Sequence, residues 1–207
     1  MRLAVLGASG GIGQHVLARA LDSGHQVTAL ARAPQSLAAV PGLTVLTGDA
    51  TDSAAVAELV AGADAVLSAL GPRGARSPAL MARAGQNLVA GMSAAGVRRL
   101  VCVSAAGAFI QGDPDSGALV KMILPRVLAK PFADVRDMEA VICASSLDWT
   151  LVRATRLVNT AMTGRYRVRP DYPPKGGGKI SRSDVAHFIS AVLTEASWIR
   201  SRPALAY

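Results

Sequence analysis

Aromatic residues are scarce in this chain: three Phe, three Tyr and two Trp among 207 residues. That leaves little surface on which bases can stack, so no nucleic-acid-binding module is expected despite a net charge of +8. The Lys and Arg residues are dispersed, which fits a generally basic surface with some arginines turned toward a small anionic molecule. Only two cysteines occur, Cys102 and Cys143, too few for a disulfide scaffold and consistent with a reducing compartment. No apolar run approaches the roughly 20 residues of a membrane helix, so no membrane partner is expected. The N-terminus leads straight into a strand without a signal-peptide layout, and a cytoplasmic location is the expectation. No His, Cys and carboxylate cluster has ligand spacing, so no metal site is expected.

Short apolar runs alternate with helical patterns. Strands are expected at 2–6, 26–30, 43–46, 65–69, 99–104 and 149–153, with helices near 11–23, 34–39, 53–61, 78–95 and 134–146. A late helix over 183–194 carries Val185, Phe188, Ile189, Val192 and Leu193 on one face, with Ser183 as its N-cap. Such alternation predicts an α/β fold: a doubly wound, Rossmann-type parallel sheet covered on both faces, in a single domain over 1–207. Two stretches read as loops that shape a substrate pocket, 105–131 and 155–182; 105–131 includes a segment closed by prolines, and 164–182 suggests a short hairpin. Oligomeric state is left open between monomer and homodimer.

The stretch "VLGASGGIGQHV" satisfies two motifs. Gly7, Ser9 and Gly11 read G-x-S-x-G, the elbow that presents a hydrolase serine; Gly7, Gly10 and Gly13 read G-x-x-G-x-x-G, a dinucleotide-phosphate turn. A hydrolase elbow needs an upstream loop for the oxyanion hole, and only six residues precede Gly7. The phosphate reading needs less. Gly7 permits the tight turn, Gly10 lets the backbone approach the pyrophosphate, and Gly13 allows close helix–strand packing. The N–H groups at the helix start, around Gly11 and Ile12, then face the phosphates, and Ser9 adds a hydroxyl donor. An acidic residue ending the second strand would select NAD, but none occurs between Asp22 and Asp49. Arg32 stands there instead, suited to a 2′-phosphate, so NADP(H) is the expected cofactor.

Further along, "GDATD" (48–52), "AVLSALG" (65–71), "VSAAG" (103–107), "SSLDWTLVR" (145–153) and "ISRSDVAHFI" (180–189) follow in order. With the glycine turn, this series resembles the atypical short-chain dehydrogenase/reductases over almost the whole chain. The likeness is closest to the NAD(P)H-binding, NmrA-like group, of the flavin reductase/biliverdin-IXβ reductase type. The resemblance implies that Asp49 and Ala50 meet adenine and that Leu70, Gly71 and Arg73 lie along the cofactor. It places Ser104 near the nicotinamide, and Thr155 and Arg156 at the border between nicotinamide and substrate. Ser104 and Arg156 are then the candidate catalytic pair.

Two departures limit what the resemblance carries over. The Tyr-x-x-x-Lys pair of full alcohol/ketone enzymes is absent, because Tyr166 is followed four residues later by Pro170, Tyr172 by Gly176, and Tyr207 is the last residue. The histidines near the substrate of the flavin and biliverdin reductases align with Val135 and Arg156 here, so a tetrapyrrole substrate does not follow. Three readings stay open. The first is an NADPH-dependent reductase of a flavin, quinone or enone small-molecule substrate. The second is a non-catalytic NADP(H) sensor. The third is an isomerase or dehydratase using Asp134, Asp137 or Glu139 as base, although those three also fit a solvated helix face.

Overall fold

The computed structural model describes residues 1–71 and 79–207. Six strands are mutually parallel: β1 (Arg2–Leu6), β2 (Gln26–Ala31), β3 (Leu43–Thr47), β4 (Ala65–Ser68), β5 (Arg99–Ala105) and β6 (Asp148–Ala154). Their spatial order is β3-β2-β1-β4-β5-β6. The strands are near-continuous apolar runs because both faces are covered. In β1, Leu3 and Val5 belong to one core and Ala4 and Leu6 to the other. Helices α1 (Gly11–Asp22) and α6 (Arg182–Val192) cover the first face. Helices α2 (Ser53–Val60), α3 (Leu80–Ala95) and α5 (Ala129–Cys143) cover the second. The chain leaves β1 toward β2 on one face and β3 toward β4 on the other. The carboxyl ends of β1 and β4 therefore border the crevice where such folds hold ligands.

The β1–α1 turn is built on close backbone approach. Gly7 has φ +79°, and a Cβ there would lie 2.8 Å from the Ala69 carbonyl carbon. A Cβ on Gly13 would lie 1.9 Å from the Gly7 carbonyl oxygen. Helix and strand touch only because both positions lack side chains.

Several expectations are corrected. The region 105–131 is largely helical: a 3₁₀ segment spans Ala106–Gly112, α4 spans Ala118–Val127, and α5 begins at Ala129. Pro131 falls in the first turn of α5, where its missing N–H costs nothing, so it opens the helix and does not close a loop. The helix expected near 34–39 is a 3₁₀ turn over Pro34–Ser36. No hairpin forms within 164–182. Instead β8 (Arg167–Pro170) pairs antiparallel with a C-terminal strand, β10 (Pro203–Ala206), which itself pairs parallel with β6. A separate parallel pair joins β7 (Arg156–Val158) and β9 (Lys179–Ser181). The N-cap of α6 is Ser181, whose Oγ accepts from the Asp184 N–H at 2.9 Å; Ser183 is buried behind it. Among the described residues, no helix is long and apolar enough to cross a membrane.

Asp184 ties three distant segments together. Fully buried at the start of α6, it accepts hydrogen bonds from the Thr163 and Gly164 N–H groups and from the Thr163, Ser181 and Tyr207 hydroxyls. Burial opposes its charge, but these bonds, Tyr207 first among them, outweigh burial and hold its pKa below the usual 3.8.

Replacing Asp184 by Ala strands these donors, and a loss of about 3 kcal/mol in urea unfolding is expected at pH 7. A depressed folded pKa contributes stability that is complete above the unfolded value and is lost as pH falls through the folded one. The gap between wild type and Asp184→Ala should therefore close below about pH 4. In the turn, Gly13→Ala pits a Cβ against rigid backbone and should cost several kcal/mol, roughly 3 or more. Gly11→Ala meets only the flexible Arg182 side chain, and its thermal midpoint should stay within about 4 °C of wild type.

Candidate functional site

The carboxyl ends of the parallel strands open onto a cleft of about 650 Å³. Gly7, Ser9, Gly10, Gly11 and Ile12 form one wall; Gly13 lies beneath it, packed on Gly7. The Gly10 N–H donates to the Gly7 carbonyl at 2.9 Å and closes the turn. Helix α1 then starts with no side-chain cap on Gly10 and no acidic residue in its first turn. First-turn N–H groups have no partner within a helix, so here they and the positive end of the helix dipole are left for a ligand.

Two arginines flank this wall. Arg32 lies beyond β2, with its side chain 59% exposed and its Nε 3.9 Å from Asp49. Arg182, the first residue of α6, was not foreseen: it lies over the turn, 2.7 Å from where a Cβ of Gly11 would be, and donates to Asn159 Oδ1 at 2.5 Å. Its only sequence signal was its place in "ISRSDVAHFI". Asp49 lines the cleft while its carboxylate accepts from the Thr51 N–H (2.8 Å) and hydroxyl (2.7 Å). Those two bonds, against a small desolvation cost and with help from Arg32, hold it below the ordinary carboxylate range. Ala50 is buried beside it, and Leu70 and Gly71 line the opposite side. Arg73 lies outside the described residues.

At the inner end stand Ser104, Val135, Ala154, Thr155 and Leu157. Ser104 closes β5, is 5% exposed, and donates its hydroxyl proton to Glu139 Oε1 on α5. Glu139 is itself 3% exposed and pairs with Arg153 of β6. The solvated face expected for Glu139 is thus corrected: only Asp137 is exposed, and Asp134 accepts from the Met81 and Ala82 N–H groups at 2.9 Å, capping α3. The Thr155 hydroxyl donates to the Leu205 carbonyl at 2.9 Å. Arg156 is not brought into the site. It opens β7 between Thr155 and Leu157, which both line the cleft, so strand alternation sends its side chain to solvent, where it is exposed.

The arrangement suits an anion at the glycine turn. Among the described residues, Asp49 is the sole carboxylate lining the cleft, against two cations and an uncapped helix end. A pyrophosphate at α1 fits this set, with Arg32 and Arg182 on either side. Among the described residues no histidine lines the cleft, and His187 Nδ1 is bonded to the Tyr166 hydroxyl at 2.7 Å, so Ser9 has no histidine base there.

A family profile described as NAD(P)H-binding matches residues 7–196. A solved protein of Burkholderia pseudomallei, named as an exported protein, is 30% identical with both chains covered in full and a TM-score of 0.84. A short-chain dehydrogenase/reductase of Veillonella parvula, solved in complex with NADP, is 23% identical with a TM-score of 0.82, covering 100% of this chain and 94% of that one. The curated 3-beta-hydroxysteroid dehydrogenase of Mycolicibacterium neoaurum is 32% identical over 126 residues, 55% of this chain and 34% of the relative. The match thus spans about a third of the length of that relative. With its glycine turn, its doubly wound sheet and a profile match over nearly all its length, the chain belongs to the NAD(P)H-binding family of Rossmann-fold proteins.

Proposed function

We propose that this protein is an NADPH-dependent reductase of a conjugated acceptor of the flavin, quinone or enone type. The observation that carries this reading is the direction of two protons. Both hydroxyls at the inner end of the cleft donate away from it, Ser104 to Glu139 and Thr155 to the Leu205 carbonyl. No tyrosine lines the cleft among the described residues: Tyr166 bonds His187 and Tyr207 bonds Asp184. An acceptor bound there receives no proton from a side-chain acid. It must delocalise the negative charge that develops on reduction and take its proton from water, as conjugated systems do.

The dinucleotide, when bound, supplies the reducing equivalent; the chain supplies binding and orientation. Gly11 and Ile12 would hold the pyrophosphate through backbone N–H groups, Gly7 and Gly10 letting it approach the turn, with Ser9 and Arg182 alongside. Gly13 keeps α1 close. Arg32 takes the 2′-phosphate, Asp49 and Ala50 border the adenine, and Leu70 and Gly71 lie along the cofactor. Ser104 and Thr155, both acceptors toward the cleft, would border the nicotinamide. Of the 105–131 region only Ala105 lines the cleft; Gly107 packs against Leu124 of α4 and Phe132 of α5 instead. A segment folded away from the inner end favours an enzyme over a sensor whose pocket is filled.

Arg32→Ala should weaken NADPH binding about tenfold or more while NADH binding changes less than about threefold, measured by nucleotide fluorescence. An unchanged NADPH/NADH ratio would remove Arg32 from its role. NADPH oxidation against a flavin, a quinone and an enone is expected to show turnover with at least one. Tight NADPH binding without turnover on any of the three would sink the reductase reading.

A further inference from the structure

Helix α4 turns its apolar side outward. A surface helix of a globular fold normally lays its apolar stripe on the core, yet α4 buries no residue. Leu119, Ile123 and Val127, spaced i, i+4 and i+8, form one exposed line, with Val120 and Met122 flanking it. Val127 is 71% exposed and Leu119 63%. These five are more than half of the nine large apolar side chains exposed among the described residues, so the exposure is gathered on one helix face and not scattered. The body holds that face in water. Leu124 and Leu128 pack on the core that α5 covers, and Leu124 meets Gly107. Pro125 has no N–H for the Lys121 carbonyl four residues earlier, and the Gln111 side-chain amide donates to that carbonyl at 2.9 Å instead. Just before the helix, Asp115 pairs with Arg169 of β8.

Charge selects what covers this face. No carboxylate occurs between Asp115 and Asp134, while Lys121, Arg126 and Lys130 fall on the helix or just after it. Asp115 is taken by Arg169, and Asp134 caps α3. Arg126 and Lys130 are exposed, and the Arg126 guanidinium donates back to the Met122 carbonyl, which keeps it beside the apolar line. A second copy of a chain with net charge +8 would set cations against cations here. A groove in another protein would have to close around the helix, and α4 offers only the side turned away from the body. A flat surface that is apolar beneath and negatively charged above meets both features.

We propose that α4 docks the protein on the surface of a bilayer containing anionic lipid. Its apolar line enters the boundary of the acyl chains, and its cations, Arg126 and Lys130 foremost, reach up to the headgroup phosphates. With ten residues the helix lies in the interface; spanning the bilayer takes about 20. Further cations stand beyond the Asp115–Arg169 pair, where Arg165, Arg167 and Lys175 around β8 are exposed and add to the attraction. The docking goes beyond the reductase reading and stands whatever acceptor the cleft takes.

The test is flotation of the full chain with vesicles of phosphatidylcholine alone and of phosphatidylcholine mixed with phosphatidylglycerol. Wild type should float with the mixed vesicles, far less with the neutral ones, and come off as salt rises. Leu119→Ser combined with Val127→Ser should weaken binding to the mixed vesicles about tenfold or more. Arg126→Gln combined with Lys130→Gln should weaken it roughly 30-fold, about fivefold for each cation. Both double variants should keep the circular dichroism and NADPH binding of wild type, since all four side chains are exposed and lie outside the cleft. Val127→Trp should add an emission that shifts to the blue on mixed vesicles. Absence of flotation with the mixed vesicles overturns the docking. So does binding that survives the two serine substitutions, because attraction by the basic surface alone then accounts for it. A dimer in analytical ultracentrifugation that the serine substitutions abolish, without vesicle binding, gives the face to a second copy and overturns the proposal as well.

Discussion

The close approach of backbone to backbone at the first turn is the constraint on which the site depends. The Gly7 carbonyl, the start of α1 and the end of β4 share a volume that admits no side chain at Gly7 or Gly13. Because they meet there, the first turn of α1 opens directly onto the cleft at the point where the sheet order reverses. The helix end is left without a cap, and its dipole and free N–H groups become a binding surface. Everything else in the cleft is placed relative to that surface. Arg32 and Arg182 come to it from opposite sides, and β5 and β6 set the far wall about Ser104.

The chain is strongly basic overall, yet its carboxylates are employed with economy. Asp49 closes the turn after β3, Asp134 caps α3, Asp184 fastens the start of α6 to the C-terminus, and Glu139 pairs with Arg153. Each satisfies donors inside the fold. Against this, Arg32 is more than half exposed and held only by a long contact to Asp49. An anionic ligand thus meets a wall whose cations are available and whose acids are already bound. The same economy reaches the inner end, where two hydroxyls are committed to protein acceptors and leave lone pairs facing the cleft.

Much of the fold was legible because its signals are local. The six parallel strands are short apolar runs between helical patterns, and their observed limits differ from the expected ones by one residue at most. What failed were elements that rely on distant partners. β10 is four residues beginning with Pro203, a poor strand by composition, and it exists because β6 and β8 pair with it on either side. The 105–131 region looked irregular because Pro125 and Pro131 punctuate it, but one proline sits inside α4 and the other in the first turn of α5. On the site, the glycine wall, Asp49, Ala50, Leu70, Gly71, Ser104 and Thr155 fall on one cleft. Arg156 does not, because a one-residue step along a strand reverses its face.

The amino-acid sequence by itself determined the nucleotide turn, since a glycine pattern between a strand and a helix states its backbone geometry within seven residues. It determined the parallel sheet as well, through the period of its apolar runs. Only the tertiary structure decided the chemistry at the inner end. Glu139 looks like one more charged residue on a helix until α5 packs on β5 and β6. Then it meets Ser104, 35 residues earlier, and Arg153, 14 residues later. Arg182 reaches the glycine turn across more than half the chain in the same way. Burial and pairing at such separations follow from sheet register and helix packing, and no local pattern of residue types encodes them.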